Sequence, residues 1–119
     1  MIAISFFTGC AILYARELQT KELNKLKQVG IGCFLFANDH NANLPARTAQ
    51  LKTYLGNEFD FSNVELIEKN KKLIDFETPS RTILAVSTKV LANNNYAALF
   101  LDGHCELISK EKYKKTANK

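Results

Sequence analysis

Residues 23–45 have the sequence LNKLKQVGIGCFLFANDHNANLP, and the rest of the chain is organised around this segment. Its apolar residues that share one helical face are Leu26, Val29, Cys33 and Phe36. The polar run at 38–41 then competes with the backbone for hydrogen bonds, and Pro45 cannot continue a helix. The stretch therefore predicts the second half of a long amphipathic helix that ends abruptly in a polar turn.

Toward the N-terminus, residues 2–15 are uncharged and Arg16 ends the run. As a helix this run would span about 21 Å, less than the roughly 30 Å hydrocarbon core of a bilayer. A signal peptide would need a basic segment before the run, and a lipoprotein signal ending at Cys10 would have too few residues before it. The third interpretation is the lower part of a transmembrane helix, within one helix from about Ile2 to Asn38, and we favour it because a family resemblance given below implies it.

After Pro45 the chain predicts a short helix and a small antiparallel sheet. The predicted elements are a helix from Thr48 to Leu55 capped by Thr48 and closed by Gly56, strands at 64–67 and 72–76, a strand at 81–88, a loop at 89–95, and paired strands at 96–101 and 104–108.

The pair Asp102-Gly103 gives the strongest turn signal, because it accepts the positive φ angles of a tight hairpin. A two-residue turn would place Phe100 opposite Cys105. The side chains then predicted to face the helix are Ala98, Phe100, Cys105 and Leu107.

These elements predict an α+β fold: a long N-terminal helix packed on a small antiparallel sheet, with a C-terminal Asp-Gly hairpin. We divide the chain into residues 1–22, a membrane or bundling segment, and residues 23–119, the head. The head includes the second half of the helix and a basic tail at 110–119. The net charge of +4 comes from this tail, which holds five lysines against Glu111. Without an aromatic and basic groove, a solvated terminus explains the tail better than nucleic-acid binding.

The sequence offers little chemistry. Its three cysteines form no CxxC pair, and Cys33 on the apolar stripe is a core residue by prediction. No nucleophile has a base and an orienting acid in a local motif, and no glycine-rich phosphate loop follows a strand. Asp39, His40, Asp102 and His104 would bind a divalent ion only if the two turns met in space. We favour turn-forming roles for them, and predict no cofactor, metal or small-molecule substrate.

Residues 24–45 also resemble the segment after the membrane helix in pseudopilin-like proteins, the prepilin-type chains related to type II secretion pseudopilins. The family pattern is approximately NLKQIGxAxxxYANDxxGxxP. Asn24, residues 26–28, Gly30, residues 37–39 and Pro45 fit it, with one extra residue after Asn24. Residues 15–17, ARE, lie where the family's apolar run ends, but the family's FTLIE-type cleavage signal does not precede them. The start codon and prepilin processing therefore stay open.

A second resemblance lies at the other end of the chain. ALFLDGHCELI, residues 98–108, is similar to the family ending VLFADGHVEWI, and residues 79–85 are similar to the strand that precedes it. Many relatives have a histidine ten positions before this aspartate, where this chain has Ala92. Whatever that histidine does in relatives, this chain cannot do in the same way.

The resemblance implies a non-enzymatic structural subunit of a type II secretion or type IV pilus-like envelope assembly, in the inner membrane with a periplasmic head. Its partners would be the membrane and sister subunits. The alternative is a membrane-tethered extracytoplasmic head that binds a ligand or mediates adhesion. The residues that carry the family pattern are Leu26, Gln28, Gly30, Asn38, Asp39, Pro45, Phe100, Asp102, Gly103 and His104.

Overall fold

A computed structural model of the chain describes the backbone of residues 2–69 and 71–117, and the side chains of residues 16–69 and 71–116. Helix α1 runs over Ile2–Asp39. Its 38 residues correspond to about 57 Å of helix. Among the residues that the structure describes, no helix has both the length and the apolarity needed to cross a membrane.

The rest of the head packs against one side of the second half of α1. A short helix α2, Lys52–Leu55, precedes an antiparallel sheet of four strands in the order β1-β2-β3-β4. The strands are β1 Val64–Leu66, β2 Ile83–Ser87, β3 Asn95–Phe100 and β4 Cys105–Ser109, and helix α3 follows at Lys110–Ala117. The predicted α+β class, with a long helix packed on a small antiparallel sheet, is confirmed.

The main core lies between α1 and one face of the sheet. Leu26, Val29 and Cys33 are fully buried there, as the helical spacing predicted. Burial raises the pKa of the Cys33 thiol to about 12. A Cβ atom built on Gly30 would lie 3.1 Å from Cδ1 of Leu99 in β3, so the helix backbone touches the sheet at this point. Glycine permits this close approach.

A second, smaller cluster covers the opposite face of the sheet. Its buried members are Ile83, Val86, Ala98, Phe100 and Ile108. Tyr113 of α3 packs on this cluster and stacks on Tyr96, with ring centroids 3.9 Å apart. The sheet is therefore covered by α1 on one face and by α3 on part of the other.

The hairpin register differs from the prediction by one residue. Leu99, rather than Phe100, is opposite Cys105, and the loop contains three residues, Leu101 to Gly103. Gly103 has a φ of +96°, as in a hairpin whose type I turn is followed by a left-handed residue. Because one step reverses the faces of a strand, Phe100 and Ala98 lie in the outer cluster instead of against α1.

The predicted strand at 72–76 is wrong. Residues Leu73–Asp75 form a turn of 3₁₀-helix, and β1 pairs with β2 instead. Only an isolated bridge joins Lys72 to Asn43, where Leu44 N–H donates to Lys71 O and Leu73 N–H donates to Ala42 O. This bridge holds the turn after α1 against residues 71–73.

Three smaller predictions also need correction. Residues 110–117 of the predicted solvated tail form α3, and Ser109 Oγ caps it by accepting from Lys112 N–H at 3.2 Å. Thr48 begins the short helical segment but does not cap it. Arg47 is at the cap position, and the Gln50 side chain accepts from its N–H. The predicted loop at 89–95 ends one residue early: Asn93 and Asn94 form a turn with positive φ, and Asn95 begins β3.

Candidate functional site

The Asp-Gly-His loop carries the most concentrated set of polar side chains that the structure describes. The turn closes with Gly103 N–H donating to Phe100 O at 2.9 Å. The Asp102 carboxylate accepts from the His104 backbone N–H at 3.1 Å and from the His104 ring at Nδ1. The side chain of Asp102 thus both shapes the turn and orients the imidazole.

The His104 ring lies between carboxylates on one side and an apolar surface on the other. Nε2 of His104 is 3.3 Å from Oε2 of Glu106. The imidazole stacks on the Phe100 ring with centroids 4.4 Å apart and an angle of 11°. Lys112 Nζ lies 5.4 Å from the centroid of the same phenyl ring. Two basic groups therefore flank one buried phenylalanine at the outer face of the sheet.

The carboxylates set the electrostatics of this cluster. The hydrogen bond to Asp102 raises the pKa of His104 above 6.5, its ordinary value, and Glu106 adds to this effect. Desolvation is the largest single influence on Asp102 and acts to raise its pKa. The hydrogen bonds and the charge interaction with His104 together outweigh desolvation, so the pKa of Asp102 is lowered. The charged pair of His104 and Asp102 is therefore favoured over a wider pH range than for isolated groups.

The polar turn after α1 is organised separately. Asp39, the last residue of the helix, accepts a hydrogen bond of 2.6 Å from the Tyr54 hydroxyl. This bond raises the pKa of Tyr54. His40 donates from Nδ1 to Phe36 O at 2.7 Å and stacks on the Phe36 ring with centroids 3.8 Å apart. Both side chains thus anchor the end of α1 to the head.

The structure does not bring these two turns together as a metal site. Within residues 16–69 and 71–116, no group of three histidine, cysteine, aspartate or glutamate side chains is arranged to hold a metal ion. Asp39 and His40 bond to Tyr54 and Phe36, whereas Asp102 and His104 bond to each other. The geometry supports an ion pair within the hairpin, and hydrogen bonds that fix the end of α1 at the other turn.

The other residues of the family pattern divide into buried and exposed groups. Leu26, Pro45 and Phe100 are buried, and Gly30 allows α1 to approach Leu99. Gln28 and Asn38 are exposed on α1. A Cβ atom on Gly103 would be 3.4 Å from the Phe34 ring, so the hairpin loop also contacts α1 directly. Most of the pattern therefore describes how the helix fits the sheet.

Sequence reasoning missed two contacts. Glu22 is only 3% exposed, and it accepts from Ser87 Oγ at 2.9 Å. Nothing in the sequence around Glu22 marks it as buried. Glu106, by contrast, follows His104 by two residues on one strand, and this spacing of two could have placed it beside His104.

No family model, curated protein or solved structure matches this chain. The resemblance to pseudopilins therefore rests on the two sequence blocks, and we carry it forward as a proposal.

We expect Asp102→Asn to lower the pKa of His104 toward 6.5 while changing the melting temperature little, because Asn-Gly forms the same turn. The raised pKa of His104 implies stabilisation that is fully present below pH 6.5 and is lost as pH rises through the raised value. The effect is small because the pair is exposed. NMR titration of the His104 ring protons in wild type and variant measures the shift directly.

A chelator separates this ion pair from an ion site. EDTA should leave the melting temperature of the wild-type chain unchanged. A fall of several degrees with EDTA, absent in Asp102→Asn, would instead indicate a bound metal. An unchanged His104 pKa in Asp102→Asn would contradict the assigned pairing.

Proposed function

We propose that this chain is a non-enzymatic, pseudopilin-like structural subunit of a type II secretion or type IV pilus-like assembly in the inner membrane, with the head in the periplasm. The observation that carries the proposal is the length of α1 beyond the head. The helix begins at Ile2, whereas the first side chain described as packed on the core is that of Leu18. About 24 Å of helix therefore precedes this contact.

The sequence of the projecting part supports an association role. Residues 2–15 carry no charge, and Arg16 and Glu17 follow directly. An uncharged helical segment outside the core is stabilised by lipid or by partner helices that remove its apolar side chains from water. In the proposed mechanism, residues 2–14 pack against the bilayer or against the same segment of sister subunits. The head then lies outside the bilayer.

The polar cluster of the hairpin is consistent with a structural role. His104 pairs with Asp102 and Glu106, and stacks on a buried phenylalanine. Cys105, the neighbouring residue, packs with the core on the opposite face of the strand, and burial is the main cause that raises its pKa. The imidazole is therefore held by carboxylates and is not aimed at a nucleophile in the described part of the chain.

A membrane-tethered head that binds a ligand or mediates adhesion is the second candidate. A groove of about 430 Å³ between α1 and the loop at 58–60 favours it, since this volume suits a small ligand. Lys21, Lys25 and Phe59 are among the residues that line this groove. A glycan, polyanion or peptide that raises the melting temperature of wild type but not of Phe59→Ala would favour this candidate.

The main proposal predicts that the full chain, expressed in bacteria, remains in the membrane fraction after alkaline carbonate extraction. Phe7→Lys should move it to the soluble fraction, because Phe7 lies near the middle of the uncharged run and a lysine at the centre of a membrane helix costs about 3 kcal/mol. Thr20→Lys is the matched control: it adds the same charge at an exposed position of α1, and should behave as wild type. Recovery of the wild-type chain as a soluble monomer would contradict the proposal.

The position of the head is tested separately. Trypsin added to intact spheroplasts should remove the head, whose lysines are mostly exposed. Protection of the head until the spheroplasts are lysed would place it in the cytoplasm and would refute the proposed topology.

A further inference from the structure

The outward face of α3 is strongly basic. Tyr113 and Thr116 face the sheet, and the exposed side chains of the helix are Lys110, Glu111, Lys112, Lys114 and Lys115. None of these four lysines forms an ion pair with a described residue; Lys112 Nζ lies over the Phe100 ring. One short helix thus presents four positive charges against one negative charge.

Contacts along α1 place this helix at a defined end of the head. Gly103 lies against Phe34, and Leu99 lies against Gly30 one turn earlier in α1. Ser87, at the end of β2, reaches Glu22, which is two further turns toward the N-terminus. The sheet therefore runs along α1, and its end near Glu22 is the base of the head.

Strand pairing brings α3 to this base. Asn95, the first residue of β3, pairs with Ser109, the last residue of β4. Ala98 pairs with Val86, so Asn95 lies at the same end of the sheet as Ser87. Because α3 begins directly after Ser109 and Tyr113 stacks on Tyr96, the basic helix starts at the base and lies over that end of the sheet. Of the α3 lysines, Lys112 extends away from the base, toward Phe100 beside the hairpin.

The base is close to the end of the apolar run. Ala15 is the last residue of that run, and Glu22 follows seven residues later. Seven residues of helix correspond to about 10 Å. The Debye length, over which salt screens a charge, is about 8 Å to 10 Å at ionic strengths near the physiological value. Lysine side chains at the base are therefore within electrostatic reach of a surface at which the apolar run ends.

We propose that α3 binds anionic phospholipid headgroups and holds the base of the head against the membrane surface. This inference rests on the proposed function, because it requires residues 2–15 to enter the bilayer. Clustered lysines beside a membrane segment attract anionic lipids through their phosphates. Nucleic acid fits less well, since Tyr96 and Tyr113 stack on each other and do not offer a face to a base.

The test compares binding of the purified full chain to vesicles of pure phosphatidylcholine and to vesicles that contain equal parts of phosphatidylcholine and phosphatidylglycerol. Half-binding lipid concentrations are measured by flotation. Each lysine near an anionic surface strengthens binding by about fivefold, so we expect wild type to prefer the anionic vesicles by at least about fiftyfold at 0.1 M salt. The preference should collapse at 1 M salt.

A quadruple variant that replaces the lysines of α3 should lose most of this preference, while its binding to neutral vesicles stays unchanged. Its changes are Lys110→Gln, Lys112→Gln, Lys114→Gln and Lys115→Gln. The matched control removes the same number of charges from exposed lysines outside α3, and is Lys27→Gln/Lys52→Gln/Lys69→Gln/Lys72→Gln. It should keep most of the preference. Because Lys112 lies over Phe100, a triple variant that retains Lys112 separates lipid binding from any loss of stability.

The outcomes distinguish the two proposals. Failure of wild type to bind neutral vesicles would contradict membrane insertion through α1, the proposed function. Insertion without a preference for anionic vesicles would overturn the lipid proposal alone. An equal loss in the quadruple variant and its control would also overturn it, because net charge would then suffice. Binding to a DNA duplex at 0.15 M salt that depends on the α3 lysines, with no vesicle preference, would assign this face to nucleic acid instead.

Discussion

Leu99→Ala is expected to lower the free energy of unfolding by about 3 to 4 kcal/mol, the usual cost of removing a fully buried leucine and leaving a cavity. Leu99 is fully buried in β3, and its methyl groups contact the helix backbone at Gly30. Chemical denaturation followed by circular dichroism measures the change. Leu35→Ala is the control: Leu35 is 45% exposed on α1, and its truncation should cost less than about 1 kcal/mol.

The contact with Gly30 allows a stricter test of how the helix meets the sheet. Gly30→Leu alone should destabilise the chain by about 2 kcal/mol or more, because the new side chain meets Leu99 in a packed core. Combined with Leu99→Ala, the same leucine can enter the space that Leu99 vacates. The double variant should therefore be more stable than the two single changes predict by addition. Strict additivity would contradict the close approach of α1 and β3 at this point.

Ser87→Ala should cost about 2 kcal/mol, because it leaves the carboxylate of Glu22 buried without the hydroxyl that donates to it. Glu22 is 3% exposed and Ser87 is fully buried, so water does not readily replace the lost partner. The Ser87 hydroxyl also accepts from Lys89 N–H at 3.3 Å, which adds to the loss. Equilibrium unfolding at neutral pH measures the effect.

The neighbouring residue supplies the matched control for this pair. Thr88 is exposed, and its hydroxyl makes only a long contact of 3.4 Å with Asn63. Thr88→Ser, which keeps the hydroxyl and removes one exposed methyl group, should be nearly silent. If Ser87→Ala were equally silent, the bond between Glu22 and Ser87 would not hold this turn of α1 to the sheet.

The long helix and its buried face could be predicted because both are local properties. Apolar spacing from Leu26 to Phe36 and the absence of proline before Pro45 specify one continuous helix with one packed side. The Asp-Gly pair likewise locates the hairpin, since few residues accept a positive φ. The predicted helix end at Asn38 is one residue short of the observed end at Asp39.

The hairpin register could not be predicted, because β3 is buried on both faces. Residues 97–100 are all apolar and all buried, so either register places apolar side chains against α1. Alternation specifies a register only when one face is polar. The prediction of a strand at 72–76 was wrong for a related reason. The apolar residues of this segment suggest a buried strand, yet the Ile74 side chain is 79% exposed.

The candidate site also has a part that could be predicted from sequence and a part that could not. Asp102 and His104 could be singled out from sequence because they flank a turn, and Glu106 follows on the same face of the strand. The stacking of His104 on Phe100 and the approach of Lys112 could not be predicted from sequence. Both depend on tertiary packing, which brings α3 against the outer face of the sheet. The sequence of a lysine-rich C-terminal segment does not indicate the surface on which the segment will pack.

Local sequence patterns thus specify the long helix, its core face and the place of the hairpin turn, because 3.6-residue spacing and turn chemistry act over a few neighbouring residues. Tertiary packing sets the strand register, the burial of Glu22 against Ser87 and the position of α3 over the base end of the sheet. These features depend on contacts between residues far apart in the chain, such as Glu22 and Ser87, and no local pattern encodes such a pairing.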